Sequence, residues 1–348
     1  MQIRLLSQYF FGNLINYHIF QPEIGNIWLV INLKLTSLTM FCALALLISA
    51  CGKERALSEQ VSTPLSLEMS YECDAFNEET DTLPTGKIRY IIRTFPVGCV
   101  YNKVKPSQEF TIVRDINGGY DHSVTLDFHA GEYDVMVWSD LIQDGELASC
   151  HNAENFGDIH LAEGCVGNNI YRDAFRGTAR VSVPKGSDTP IELKVDMQRP
   201  LAKYEIVSDD LAEFISCKLS DGEDFNIEDY TAIVYYIGYM PNSYSIYSDK
   251  PVDATTGVMF TSPLSVISET QVSLGFDYVF VPNKESSTTV KIGVYDNKGT
   301  LISMSQSVNI PLQRNKSTVK HGEYLTSKTS DGIDIDKEFE GSFDLTIK

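Results

Sequence analysis

From Pro64 onward, apolar and polar side chains alternate along the chain, and a period of two belongs to extended strands that bury one face. Ile88, Tyr90 and Ile92 alternate with Arg89, Ile91 and Arg93, and Val124, Leu126 and Phe128 with Thr125, Asp127 and His129. Ile191, Leu193, Val195 and Met197 repeat the pattern, as do Val290, Ile292 and Val294, and Phe343, Leu345 and Ile347 near the end. One apolar and one polar face per strand is the mark of antiparallel sheets. Turn residues fall between the runs: Asn117-Gly118-Gly119, and Asp296-Asn297-Lys298-Gly299. Asn and Gly tolerate the positive φ that hairpin turns need. A single segment reads as helical, with Ser208 as its cap, Asp209 and Asp210 in its first turn, and Leu211, Phe214 and Ile215 on one face.

These signals predict an all-β chain, built as two consecutive antiparallel β-sandwiches of the Ig-like or transthyretin-like kind with one short helix. A length of 348 residues suits two such domains. The expected boundary is the Pro-containing joint at Arg199-Pro200, giving domains 65–199 and 200–348. With 18 Tyr, 17 Phe and 43 % hydrophobic residues, there is enough apolar material for packed cores. Acidic side chains number 47 against 28 basic ones, for a net charge of −19. That balance repels phosphate backbones, so nucleic acid is not expected as a partner.

The first fifty residues follow another logic. Lys34 precedes an apolar run from Met40 to Ile48 that is shorter than the roughly 20 residues a bilayer span needs. It ends Ile48-Ser49-Ala50-Cys51, which resembles the lipobox of bacterial lipoproteins. The resemblance implies a cleaved signal peptide and a lipid on the Cys51 thiol. Met1 to Ile31 reads as neither domain nor signal. The expectation for 1–51 is therefore an extension from a start site placed too far upstream, followed by the signal peptide. Residues 52–64 are polar and aperiodic, as a tether would be.

Five cysteines follow Cys51: Cys73, Cys99, Cys150, Cys165 and Cys217. Cys150 and Cys165 flank a polar loop and form either a disulfide or two free thiols; Cys73 with Cys99 is a further pairing. A zinc site from Cys150, His151, His160 and Cys165 matches no finger or ribbon spacing, and Asp331 to Asp336 lacks the order of a calcium loop. No metal or cofactor is expected. Six tyrosines lie between Tyr230 and Tyr247. Tyr239 and Tyr244 are the candidate ligand platform among them, because flat rings cover area at low entropy cost; the alternative is core packing. Trp138 shares the less apolar face of its strand with Met136. The chain carries no nucleophile elbow, metalloprotease helix, P-loop or dinucleotide fingerprint, so an enzyme is not expected.

Several segments carry a family resemblance: Gly131 to Asp140 (GEYDVMVWSD), Tyr171 to Gly177 (YRDAFRG), Met197 to Lys203 (MQRPLAK), Phe276 to Val281 (FDYVFV), and Arg314-Asn315 with Thr318 and Gly322. Together they resemble Bacteroidales lipoproteins whose shared domain has no assigned function and which are similar to fimbrillins, two-sandwich pilin subunits. The resemblance implies a surface or outer-membrane lipoprotein with a structural or adhesive role, such as a fimbrial anchor or accessory subunit. Its partners would be the membrane, other fimbrial subunits, or host or extracellular glycans. A glycan-binding accessory lipoprotein is the alternative. Gly52 after Cys51 favours the outer membrane in such lipoproteins, and Lys53-Glu54 is half of a surface-export signal. Arg55 is the one Arg in the tether at which a fimbrillin-type protease could cut. Arg199 and Arg314, in two of the motifs, are either structural or partner-binding.

Overall fold

The computed structural model describes residues 62–71, 85–116, 122–222, 224–282 and 285–327. Among the described residues nine strands lie before Pro200: β1 (Ser62–Tyr71), β2 (Lys87–Pro96), β3 (Gln108–Asp115), β4 (His122–His129), β5 (Gly131–Ile142), the short β6 (His151–Asn152) and β7 (Ile159–Leu161), β8 (Ala174–Val183) and β9 (Ile191–Met197). A three-stranded sheet, β4-β1-β9, faces a four-stranded one, β3-β2-β5-β8. Between them lies a core that includes Leu65, Leu67, Tyr90, Phe128, Val137 and Phe175. Burying side chains of this size is worth about 1.5–3 kcal/mol each.

The wiring then repeats. The later strands are β10 (Leu201–Ser208), β11 (Tyr230–Tyr236), β12 (Met240–Ser245), β13 (Lys250–Thr255), β14 (Met259–Pro263), β15 (Ser265–Val266), β16 (Val272–Phe280), β17 (Ser286–Asp296), β18 (Leu301–Met304), β19 (Val308–Leu312) and β20 (Ser317–Gly322). Their sheets run β15-β16-β10-β20 and β14-β11-β17-β18, with β19 continuing along the β17 edge. In each half the opening strand is central: β1 pairs antiparallel to β4 and parallel to β9, and β10 antiparallel to β16 and parallel to β20. These parallel pairs amend the expectation of purely antiparallel sheets. A second core, with Tyr204, Phe214, Val234, Leu274 and Ile292, fills the later half. Among the described residues no helix is long and apolar enough to cross a membrane.

Each half also carries an insertion: β6 and β7 between β5 and β8, β12 and β13 between β11 and β14. The insertions pair with each other, Tyr244 opposite Ile159 and Ser243 opposite His160, and form a fifth sheet, β13-β12-β7-β6. Under it lies a third core drawn from both halves, with Phe95, Trp138, Phe156, Leu201, Tyr244 and Phe280. One polar face per strand therefore fails for β2 and β5. Ile88 and Val137 face the first core, while Ile91 and Trp138 face the third. Trp138 is fully buried, with its indole Nε1 donating to Asp140 at 2.9 Å.

The helix, α1 (Leu211–Ser220), begins one residue after Asp210 rather than after Ser208. Asp210 makes no capping bond to α1. Its carboxylate instead accepts from the Thr326 amide and hydroxyl, both at 2.8 Å, and from Ser208 Oγ. Asp210 thus ties the start of α1 to the segment after β20.

Candidate functional site

The family-like segments meet around the third core as buried ion pairs. Arg172, 2 % exposed, reaches Asp277 at 2.5 Å, and Asp277 also accepts from Tyr236 at 2.6 Å. One residue on, Asp173 accepts from Arg199 Nε at 2.9 and 3.0 Å, and the Arg199 guanidinium lies 4.6 Å above the Phe175 ring. Arg199 Nη1 donates to Asn315. Burial raises the Asp173 and Asp277 carboxyl pKa values, against the pull of Arg199 and Arg172 respectively. These are costly groups to desolvate and are tolerated because they are paired and hydrogen-bonded.

A second knot forms around Asp249, whose backbone has φ +53°. It accepts from Arg314 Nη1 at 3.0 Å through both oxygens, from Arg176 at 2.7 Å, and from the Tyr244 hydroxyl. Arg314 also donates to the carbonyls of Asp249 and Val281. Burial pushes Asp249 up, but the Tyr244 bond and the two arginine charges outweigh it and hold the carboxyl below its usual range. Burial is also the main reason the Tyr244 hydroxyl is raised. Arg199 and Arg314 therefore bond inside the protein, with Arg314 Nε left without a partner, in a joint that ties β10 to β20 through Asn315 N–H to the Leu201 carbonyl.

Tyr239 and Tyr244 do not form a platform. Tyr239 is 79 % exposed, whereas Tyr244 is fully buried and stacks on Phe280 at 5.6 Å. The spacing of β12 gave no sign of this, because β12 shifts register against β13 on both sides of Ser243. Cys150 and Cys165 are joined in a disulfide at the base of the first insertion, which leaves no thiolates there for zinc. Cys99 and Cys217 are free thiols. Among the described residues, no group of three or more His, Cys, Asp or Glu side chains is placed to hold a metal. Cys51, Arg55, Cys73 and the 331–336 run lie outside the described residues.

His151, next to Cys150, is the buried titratable group that the spacing did not single out. Both ring nitrogens are buried without a hydrogen-bond partner. The nearest carboxylate, Asp140, stands 4.0 Å away and is already taken by Arg89 at 2.6 and 2.9 Å and by Trp138. Burial, then the charges of Arg172 and Arg89, push the imidazole pKa down to about 3. Arg172, Asp173 and Asp277, which are buried, and the partly buried Arg89 and Asp249 were likewise not read as a paired set. In a sequence with 47 acidic side chains, those that take a partner carry no separate signal.

The architecture places the chain among all-β proteins built of paired sheets. It belongs to a family of unknown function, DUF6562, whose model matches residues 57–348. A comparison with curated proteins found no match. Among solved structures it is similar to the fimbrial anchor protein Mfa2 of Porphyromonas gingivalis, with 12 % identity, 70 % of this chain and 82 % of that one covered, and a TM-score of 0.34. It is also similar to the tip fimbrial protein Mfa3 of the same species, with 10 % identity, 72 % and 81 % covered, and a TM-score of 0.35. A candidate adhesin of Bacteroides ovatus is similar at 13 % identity, with 70 % and 76 % covered and a TM-score of 0.38.

Proposed function

We propose that this protein is a lipoprotein of the outer membrane, held through Cys51 and facing the cell surface, with a structural or adhesive role as a fimbrial anchor or accessory subunit. The observation that carries the reading is the position of β1. The chain leaving the tether enters the middle of a sheet, between β4 and β9, and buries Leu65, Leu67 and Met69 completely. Tension from an anchored N-terminus would run along β1. The ladders on both sides would then bear it in shear, all bonds together, rather than unzipping one at a time. We also propose that 65–199 and 200–348 are two domains of one load-bearing unit, and that partners are other fimbrial subunits meeting exposed strand edges.

Labelling cells with a clickable fatty acid tests the anchor. The native protein should take up label and Cys51→Ala should not; label on Cys51→Ala, or its retention in the membrane fraction, refutes the assignment. Co-purification with high-molecular-weight, heat-resistant material tests assembly, and its absence from such material would remove the fimbrial role.

A further inference from the structure

Beyond that reading, a cleft of about 370 Å³ opens where the two halves meet, lined by the segments 101–109 and 154–157 and by Tyr247. Two tyrosines line it side by side, Tyr101 and Tyr247, packed against each other with ring centroids 5.5 Å apart and planes inclined by 31°. Both stand edge-on upon the fully buried Phe95, at 5.4 and 5.8 Å. The Tyr101 hydroxyl is fixed by donating to Asp134 at 2.8 Å. Gly157 lets the second ring close in, since a Cβ there would stand 3.1 Å from Tyr247 Cε2. The rings are thus held in place before any ligand arrives, which lowers the entropy cost of binding.

The polar lining is charge-balanced. Arg93 is held by Glu109 at 2.8 Å and lies 4.3 Å over Phe156, and Lys105 and Glu154 add one charge of each sign. In a chain of net charge −19, a balanced cleft favours neither anion nor cation. Planar guanidinium, carboxylate and amide groups (Asn102 and Asn155 also line it) bind vicinal hydroxyls in pairs, while an aromatic face receives the C–H face of a pyranose. The volume lies at the low end of the roughly 300–1,000 Å³ of small-molecule sites.

We infer that this cleft binds a short segment of a neutral polysaccharide, with Tyr101 and Tyr247 as stacking faces and the Arg93–Glu109 pair and Glu154 as hydroxyl ligands. The site depends neither on the lipid nor on other subunits, so failure of the anchor reading leaves it standing.

The test is native affinity electrophoresis of the full chain through gels cast with a soluble neutral glucan, mannan, galactan or xylan, and with polygalacturonate as the anionic control. At least one neutral polymer should retard the protein and polygalacturonate should not. Tyr247→Ala and Glu154→Ala should each weaken retardation about tenfold or more, and Tyr239→Ala, away from the cleft, should not. Glu154 is exposed, so its variant keeps the test valid if Tyr247→Ala does not fold. Free migration through every neutral gel overturns the inference, as does equal retardation by polygalacturonate, or retardation of folded Glu154→Ala unchanged from the native chain.

Discussion

Lowering the pH from 7 should destabilise this protein through His151. In the unfolded chain a histidine takes up its proton near pH 6.5; in the fold His151 does so near 3. Between those values the unfolded state binds more protons, so stability is complete above pH 6.5 and is lost as the pH falls toward 3. Each unit is worth 1.36 kcal/mol, which gives a limit of about 5 kcal/mol. Over the window from 6.5 to 4.5, the loss is about 2–3 kcal/mol. For a fold of this size that lowers the melting temperature by roughly 5–10 °C. The assay is thermal or urea denaturation of the disulfide-intact protein at pH 7, 6, 5 and 4.5. His151→Leu, close in volume, removes the titrating ring, and with it two buried nitrogens that have no partner. Its stability should fall much less over the same range. Native and His151→Leu proteins with equal slopes would refute the reasoning.

Three further outcomes follow from the joint and the insertions. Replacing Cys150 and Cys165 by Ala should cost about 3 kcal/mol for a loop of 15 residues, read as a lower denaturation midpoint that reductant does not lower further. Arg199→Met strands the buried Asp173 and should cost about 3–5 kcal/mol, with much of it recovered in Arg199→Met/Asp173→Leu; Arg180→Met, from a pair whose Arg side chain is 66 % exposed, should lower the midpoint far less. Gly177→Ala places a Cβ 2.4 Å from Val195 Cγ1 and 2.7 Å from Met197 Sδ, so it should destabilise by about 1–3 kcal/mol in the same melts; an unchanged midpoint would show that β8 and β9 are packed more loosely than this.

The strands were legible because alternation needs only the nearest neighbours in the chain. Val290, Ile292 and Val294 lie on one inner face as the period requires, and Asp296 accepts from the Lys298 and Thr300 amides in the turn read there. What local pattern could not convey was the far side of β2 and β5. Arg89, Arg93, Asp134 and Asp140 punctuate that face like a solvated one; their charges pair within the sheet, with Asp140 for Arg89, Glu109 for Arg93 and Arg180 for Asp134, and distant chain then covers it. Tyr244 stayed open between platform and core for the same reason: its cover comes from Phe280 and Arg314. The Tyr101–Tyr247 cleft joins positions too far apart for any spacing rule. The misplaced helix start is a local error, since Asp210 turned to Thr326 instead of to the helix amides.

The sheet that both insertions share sets an order of events as the polypeptide is made. Until the later half arrives, Ile91, Phe95, Met136 and Trp138 have no lid and form a sticky plane on a nascent, half-finished protein. Oxidation of Cys150 with Cys165 can already close the earlier loop over part of that plane. A chain released after the first half would therefore be a folding liability, with an apolar handle by which quality control can recognise it.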